Sequence, residues 1–328
     1  MQRRQLVLSA LTLSSSAMGA NAFAQATVQP FPSKVITIYV PYSAGGISDQ
    51  QARTIAPHLS KALGQPVVIE NLTGANGSIA AQKMLSSPVD GHSMMVVSPN
   101  ETILAPLTIT GLKYQAEDFR LLANGIAAPT ALLARPTLDV NNLNELLAYA
   151  AAKELRYGSV GLGSMPHLTA EDFRQRTGAR LLHVPYRGGA PMIQDMMAGH
   201  IDIAFMAFAG PILGLVTAGK IKVIGMATAP RIPALAQFAV LNDHAALRDF
   251  NYPVWSTFAV SKSVPEETAA KLNQTLNEIM QLAEVQAWVK TSGSFVPETF
   301  SLKGAADFYQ SETRKIRGLA RSVNLLAQ

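Results

Sequence analysis

Residues 35–49 read VITIYVPYSAGGISD and predict the beginning of an α/β fold. The nearly continuous apolar run 35–40 contains β-branched residues, which is typical of a strand buried on both faces. Glycines follow the run, and apolar residues then recur at helical spacing: Ala52, Ile55, Leu59 and Leu63. The stretch therefore predicts a buried strand, a glycine turn and a helix, which Pro57 should kink or split.

Residues 156–167, RYGSVGLGSMPH, repeat this design with a predicted strand over 156–160, a glycine turn and a predicted helix over 166–176. Ligands of open α/β sheets bind beyond the carboxyl ends of strands. The unpaired N–H groups and partial positive charge of a helix N-terminus can hold a carboxylate there without lysine or arginine. Each loop alone is equally typical of an ordinary capped turn, but two in succession favour a ligand cleft.

The two loops also predict how an anion is held. We expect backbone N–H groups around 46–48 and 163–165 to bind it, directly or through ordered water. Gly46 should be essential, because an added Cβ would block close approach and disfavour a positive φ. Asp49 has two alternative roles: it caps its helix, or it accepts a hydrogen bond from a ligand ammonium or hydroxyl group.

Short β-rich runs alternate with helical runs along most of the chain, an order that builds parallel sheets with helices on both faces. Further strands are predicted at 67–70, 94–98, 181–184, 201–205, 223–227 and 258–260. Further helices are predicted at 78–85, 143–152, 191–198, from Pro265 onward and over 302–323. The pattern predicts an α/β fold of two lobes, each a mainly parallel sheet flanked by helices, with the ligand cleft between the lobes.

The N-terminus has the features of a cleavable signal peptide. Arg3 and Arg4 precede the short apolar run 6–13, and small residues over 22–26 fit a signal peptidase site. Removal of residues 1–26 lowers the formal net charge from +5 to +3, since the two arginines are the only charged residues there. We therefore expect export to the periplasm, by the Sec or the twin-arginine route.

Several functional classes lack their signature in the sequence. There is no cysteine, no Gly-x-Ser-x-Gly nucleophile elbow and no His-Glu-x-x-His, and the six histidines are scattered. Residues 214–220 nearly match a P-loop, but Ile221 replaces the required serine or threonine. The uncharged stretch 203–219 is interrupted by glycine and proline, which favours a buried strand and short helix over a membrane span. No Lys/Arg-rich run is present. We expect no metal, no cofactor and no nucleic-acid partner.

Longer strings around the two loops resemble the Bug-type solute-binding receptors of tripartite tricarboxylate transporters. These strings are FPSKVITIYVPYSAGGISD (31–49), LGQPVVIEN (63–71), GANG (74–77), Asp90 with Gly91, HVPYRGGAP (183–191), Asp195 and AGHID (198–202). The resemblance implies a type II periplasmic binding protein whose two lobes close on a ligand. We expect a signal peptide over 1–26, lobe I over 27–126 and 228–328, and lobe II over 127–227.

The resemblance also maps ligand-binding positions onto this sequence. The first loop contributes Tyr42, Ala44, Gly45, Gly46, Ile47, Ser48 and Asp49, and the second contributes Gly163, Ser164, Met165 and His167. Asn76, Ser98 and Tyr186 match positions near the cleft. Three departures concern the ligand's distal group and the cleft mouth: Pro166, Met206 where the family commonly has aspartate, and 228–244, which lacks the usual Pro-x-x-Pro-Thr stretch.

These observations predict a monomeric extracytoplasmic receptor, not an enzyme, that captures a small organic carboxylate for integral membrane transporter subunits. One alternative is an exported hydrolase or isomerase on the same scaffold, with Asp49 and His167 as an acid–base pair. Another is a ligand sensor that docks on a membrane kinase. The sequence does not name the ligand.

Overall fold

The structure, a computed structural model, describes residues 31–123, 125–227, 235–296 and 300–325. The predicted signal peptide lies outside these ranges, as does part of the stretch 228–244. No helix in the described ranges combines the length and the apolar character needed to cross a bilayer.

Strands and helices alternate through most of the chain, as predicted. The strands are β1 (Ile36–Val40), β2 (Val67–Asn71), β3 (Ser93–Val97), β4 (Phe119–Leu121), β5 (Ile126–Ala128), β6 (Thr130–Ala134), β7 (Leu155–Ser159), β8 (Leu181–Pro185), β9 (Ile203–Ala207), β10 (Lys222–Met226) and β11 (Val254–Ser261). The helices are α1 (Ile47–Leu63), α2 (Ser78–Leu85), α3 (Ala105–Thr108), α4 (Leu143–Ala152), α5 (Met165–Thr177), α6 (Gly189–Ala198), α7 (Pro211–Thr217), α8 (Glu266–Met280), α9 (Ala283–Thr291) and α10 (Leu302–Ser322). A π-helical turn, Asn100–Leu104, follows β3.

The strands form two sheets. The first has the order β2-β1-β3-β11-β4, and β5 also pairs with β11. In it β1 runs parallel to β2 and β3, whereas β11 runs antiparallel to β3, β4 and β5. The second sheet has the order β10-β6-β9-β7-β8, with β6 antiparallel to both of its neighbours and β7 parallel to both of its own.

Both sheets are therefore mixed, and the prediction of mainly parallel sheets is wrong. The cause is two strands that enter their sheets in the opposite direction: β11, which returns from the C-terminal part of the chain, and β6. Neither β5 nor β6 was predicted, because the sequence IAAPTALLA over 126–134 is rich in alanine and has only two of the β-branched residues that indicate strands, Ile126 and Thr130.

Helix α1 is a single helix, so Pro57 does not split it. Its buried face, which includes Ile55 and Leu59, packs into the core of the first sheet together with α8. Pro57 lies on the exposed side of α1, where the carbonyl group that loses its partner can bind water. The uncharged stretch 203–219 forms β9 and α7, as predicted.

The central strand β11 offers a test of this architecture. Phe258 is 1% exposed in the core of the first sheet, whereas Phe295 is 43% exposed. We predict that Phe258→Ala lowers the free energy of unfolding by about 3–5 kcal/mol, because it leaves a cavity where β11 pairs with its neighbours. Phe295→Ala should cost less than about 1 kcal/mol. Urea unfolding of both variants measures the difference, and equal losses would contradict the placement of β11.

Candidate functional site

A cavity of about 350 Å³ lies between the loops that follow β1 and β3 and the residues around β9, α6 and α7. We call it the main cavity. Because β1 and β3 are parallel neighbours, the loops at their carboxyl ends lie side by side at one edge of the first sheet. The volume is in the range of small-molecule sites.

The lining of the main cavity is polar on the side of the first sheet and mostly apolar on the other side. Its polar residues from the first sheet and the connected loops are Tyr42, Ser43, Ser48, Ser98, Asn100 and Ser256. The apolar side includes Val160, Met165, Ile193, Met206, Ile212 and Leu215. None of the lining residues, all of which the structure describes, is Asp, Glu, Lys, Arg or His. Within the described ranges, no group of three or more His, Asp or Glu is arranged to hold a metal ion.

The structure brings part of the predicted site together around this cavity. The predicted residues that line it are Tyr42, Gly45, Gly46, Ile47, Ser48, Ser98, Met165 and Met206. Ala44 belongs to the same loop but is exposed and does not line the cavity. The other predicted residues lie behind the lining or in a neighbouring space.

Asp49 anchors the loop that precedes α1. Its carboxylate accepts hydrogen bonds from the Gly45 N–H (2.9 Å), Arg53 Nε (2.9 Å) and Asn71 Nδ2 (3.0 Å). Burial opposes ionisation, but these hydrogen bonds outweigh it and lower the pKa of Asp49 below its ordinary value. Asp49 therefore does not cap α1 in the predicted way, since its carboxylate binds no N–H group of the helix itself but ties the Gly45 N–H to the first turn, and it does not line the main cavity.

The first turn of α1 leaves hydrogen-bond donors free beside the main cavity. The Gln50 N–H is the first in α1 to reach a backbone carbonyl, that of Gly46 at 2.9 Å. The N–H groups of Ile47 and Ser48 and the Ser48 hydroxyl have no acceptor among the described residues, and both residues line the cavity. A helix N-terminus also carries partial positive charge, so this turn can bind an anion.

Glycine is needed at position 45 and not, as predicted, at position 46. Gly46 has φ −73°, and an added Cβ would lie 3.5 Å from the Ser43 carbonyl oxygen, an ordinary contact. Gly45 has φ +85°, in the left-handed region that favours glycine. The turn falls one residue earlier than expected because the Asp49 carboxylate binds the Gly45 N–H.

The second loop differs from the first because its N–H groups already have acceptors. The Gly163 N–H donates to His167 Nδ1 (2.9 Å), and the Ser164 N–H donates to the Gly161 carbonyl (3.2 Å). The Met165 N–H donates to Asn100 Oδ1 (2.7 Å). The prediction that these groups are available to an anion is therefore wrong for this arrangement. An anion at the start of α5 would have to displace the Asn100 amide.

His167 is buried in a stack of aromatic rings. Its ring centre lies 4.0 Å from that of His183 and 6.2 Å from that of Tyr157. Burial, with a further contribution from His183, lowers the pKa of His167 to about 4. In the described part of the chain His167 makes no hydrogen bond to Asp49. The structure thus does not bring the proposed acid–base pair together.

Asn76 and Tyr186 line a smaller space of about 160 Å³ that adjoins the main cavity. The Tyr186 hydroxyl donates to Asp195 Oδ2 (2.7 Å), and Asn76 Nδ2 lies 3.4 Å from the carbonyl oxygen of Asn100. Arg187 also lines this smaller space, but it is exposed and has no ion pair among the described residues. The nearest cation in the motif is thus outside the main cavity.

The sequence analysis missed the π-helical turn after β3, which connects the two sides of the cavity. Asn100 Nδ2 donates to the Tyr42 hydroxyl (2.7 Å) while Asn100 Oδ1 accepts from Met165. The Tyr42 hydroxyl donates to Glu101 Oε2 (3.0 Å), and Glu101 also accepts from the Ser98 N–H and hydroxyl. Polar residues directly after a buried strand were the signal that could have revealed this turn.

Glu101 is fully buried beneath the cavity lining. Burial raises the pKa of Glu101 to about 7, against opposing hydrogen bonds from Ser98 and Tyr42. Burial and the negative charge of Glu101 raise the pKa of Tyr42 well above its ordinary value. The wall formed by Tyr42 and Ser98 therefore depends on a carboxyl group that changes charge near neutral pH.

Comparisons with known proteins identify the family and the fold of the chain. The model of the tripartite tricarboxylate transporter family receptor matches residues 51–325. A UPF0065 protein of Bordetella pertussis is 32% identical over 253 residues, which are 76% of this chain and 78% of the relative. The structure of R. palustris Rpa4515 with adipate matches with a TM-score of 0.85 at 26% identity, over 91% of this chain and 100% of that one.

The periplasmic binding protein BugD shares the fold, with a TM-score of 0.84 at 23% identity over 91% of this chain and 100% of that one. The predicted two-lobed periplasmic binding-protein fold is thereby confirmed. The chain belongs to the family of tripartite tricarboxylate transporter receptors.

Proposed function

We propose that this chain is an extracytoplasmic receptor that binds a small carboxylate in the main cavity and passes it to the membrane subunits of a tripartite tricarboxylate-type transporter. In this proposal residues 1–26 are removed on export to the periplasm, and the mature receptor is monomeric and catalyses no reaction. Lobe I (27–126 and 228–328) and lobe II (127–227) close on the ligand. Family membership supports the role, as does the adipate in the structure of the related Rpa4515.

The observation that carries the proposal is the start of α1. Two backbone N–H groups, of Ile47 and Ser48, and the Ser48 hydroxyl lack acceptors among the described residues and border a cavity whose lining contains no anionic side chain. Ser48 is buried, and donors at a helix start are ordinarily satisfied by a side chain, water or a ligand. A ligand carboxylate supplies two acceptor oxygens and the charge that the helix N-terminus favours.

The negative charge of Asp49 does not prevent this binding. Arg53 forms an ion pair with Asp49 at 2.9 Å, and neither residue lines the cavity. The Asp49 charge is thus offset by Arg53, while the N–H groups of Ile47 and Ser48 remain for the ligand. Hydrogen bonds to a charged group contribute about 1.5–3 kcal/mol each, so two or three are sufficient for capture without a cation.

We predict that Ser48→Ala weakens binding about 10- to 150-fold, the loss of one hydrogen bond to a charged group of about 1.5–3 kcal/mol. Arg187→Ala should change the Kd by less than about twofold, as expected for an exposed residue outside the main cavity. Ser60→Ala is the matched control, because Ser60 lies on the same helix but far from its N-terminus and donates to the Gln65 carbonyl. Titration calorimetry with the tightest-binding acid from a panel of mono- and dicarboxylates gives all three values.

If Arg187→Ala abolishes binding while Ser48→Ala binds normally, a conventional ion pair holds the ligand and the proposed mode of capture fails. The acid should also be recovered unchanged after incubation, as judged by mass spectrometry. A product would favour an exported enzyme over a receptor.

The raised pKa of Glu101 predicts a pH dependence of stability. A carboxyl whose folded pKa is about 7, above its ordinary 4.5, stabilises the fold fully below pH 4.5 and loses that contribution as the pH rises through 7. Glu101→Gln, which mimics the neutral form, should remove this loss, on the order of 1–3 kcal/mol between pH 4.5 and 8. The difference in free energy of unfolding between wild type and variant, measured by urea unfolding across that range, isolates the contribution.

The depressed pKa values of Asp49 and Glu117 act in the opposite direction but are common to both proteins, so they cancel in the difference. A difference that stays constant from pH 4.5 to 8 would show that Glu101 does not titrate in this range.

A further inference from the structure

Among the described lining residues, the unpaired polar side chains of the main cavity lie on the side of the first sheet, with Gln194 as the exception. Asn100 and Tyr42 hydrogen-bond to each other, and Ser98 is bound to Glu101. The Ser256 hydroxyl donates to Gln51 Oε1 (2.6 Å). Among the described lining residues, this leaves Ser43, the second N–H of the Asn100 amide and the first turn of α1 as uncommitted polar groups on the side of the first sheet.

The side chains of the opposite wall are mostly hydrocarbon, although Gly189 and Ala190 at the start of α6 also line it and their N–H groups have no acceptor among the described residues. Ile193, Met206, Ile212 and Leu215 line it, and Met206 Cε lies 3.3 Å from where a Cβ on Gly189 would be, so its side chain covers the start of α6. Trp255 of β11 also lines the cavity. Its Nε1 already donates to Glu312 (2.9 Å), so its ring offers the ligand an apolar surface and no free donor.

Gln194 is the polar lining residue of this second wall, and it is exposed. Its amide group is therefore hydrated without a ligand. A ligand group that enters the apolar wall meets no charged side chain, and Gln194 is the side-chain amide that this wall contributes to the described lining.

We infer that the ligand is a monocarboxylate with an apolar aliphatic or aromatic body, and that the receptor discriminates against di- and tricarboxylates. This inference rests on the proposed function, because it places the single carboxylate at the start of α1. The body of the acid then lies against Met206, Ile193 and Leu215, and the flexible methionine adapts to bodies of different shape.

Two physical effects set the expected selectivity. Each CH₂ group moved from water onto the apolar wall should tighten binding about fourfold. A second carboxylate on that wall would lose its hydration to hydrocarbon side chains and meet no cationic side chain, because the lining has none and the Met206 side chain lies against the start of α6. The penalty for a buried charge without a charged partner corresponds to at least about 100-fold weaker binding.

Titration calorimetry with hexanoate and adipate tests the inference, because the two acids share a six-carbon chain and differ in the second carboxylate. We expect hexanoate to bind at least about 100-fold more tightly than adipate, and butanoate to bind about 16-fold more weakly than hexanoate. Benzoate tests the aromatic body, and hexanamide tests the need for the charge.

The outcomes separate this inference from the proposed function. If adipate binds as tightly as hexanoate, or if adipate binds and neither hexanoate nor benzoate does so at millimolar concentration, the apolar-monocarboxylate inference is overturned while carboxylate capture stands. If hexanamide equals hexanoate, capture of an anion is itself wrong. Absence of binding by every acid overturns both.

A charge placed in the apolar wall provides a second test. Met206→Lys should weaken hexanoate binding and strengthen adipate binding, because the ammonium group can pair with the second carboxylate. The ratio of the adipate Kd to the hexanoate Kd should therefore fall at least about tenfold. Leu182→Lys, at an exposed position of β8 outside the cavity, is the matched control and should leave the preference unchanged. Circular dichroism checks that both variants fold. A folded Met206→Lys receptor with the wild-type preference would show that the far end of the ligand does not meet this wall.

Discussion

The carboxylate of Asp49 accepts hydrogen bonds from Gly45, Asn71 and Arg53, and the geometry of the first loop depends on them. They hold Gly45 in the left-handed region and set the point at which α1 begins. The Gly46 N–H adds only a long contact of 3.5 Å to the Ser43 carbonyl. Without Asp49, the donors at the start of α1 would have no fixed position, and the anion site would lose its preorganisation.

The starts of α1 and α5 have the same pattern in the sequence, but their first N–H groups differ in the structure: those of α1 lack acceptors among the described residues, whereas that of Met165 in α5 has one. The Asn100 amide satisfies the start of α5, so this helix contributes contact between the two walls and not free donors. Asn100 in turn donates a hydrogen bond to the Tyr42 hydroxyl, which donates to the buried Glu101 carboxyl group. Under the proposed function, the polar contacts with the ligand therefore lie at the start of α1. The apolar wall of the main cavity contributes shape complementarity and apolar contacts. Under the proposed function, this division allows a cavity without a charged lining residue to select a charged ligand.

Local patterns were sufficient to predict the helices and most strands, because α/β periodicity and glycine turns depend on neighbouring residues. The antiparallel directions of β6 and β11 were not predictable, since they depend on pairing between residues far apart in the chain, such as Phe258 with Val96. The first loop was predicted as a site at a helix start, but Gly46 was expected to have the positive φ that the structure shows at Gly45. That difference depends on the hydrogen bond between the Asp49 carboxylate and the Gly45 N–H, which the sequence pattern does not reveal. The hydrogen bond from the Met165 N–H at the start of α5 to Asn100 Oδ1 has no local signal in the sequence, because the two residues are 65 positions apart.

The central claim, that backbone donors at the start of α1 hold a single carboxylate without a cation, is tested most directly by a crystal structure of the receptor with a bound monocarboxylate. The account predicts carboxylate oxygens within about 3 Å of the N–H groups of Ile47 and Ser48, with the Asn100–Met165 hydrogen bond intact. A carboxylate paired with Arg187, or one that has displaced Asn100 from the start of α5, would contradict it.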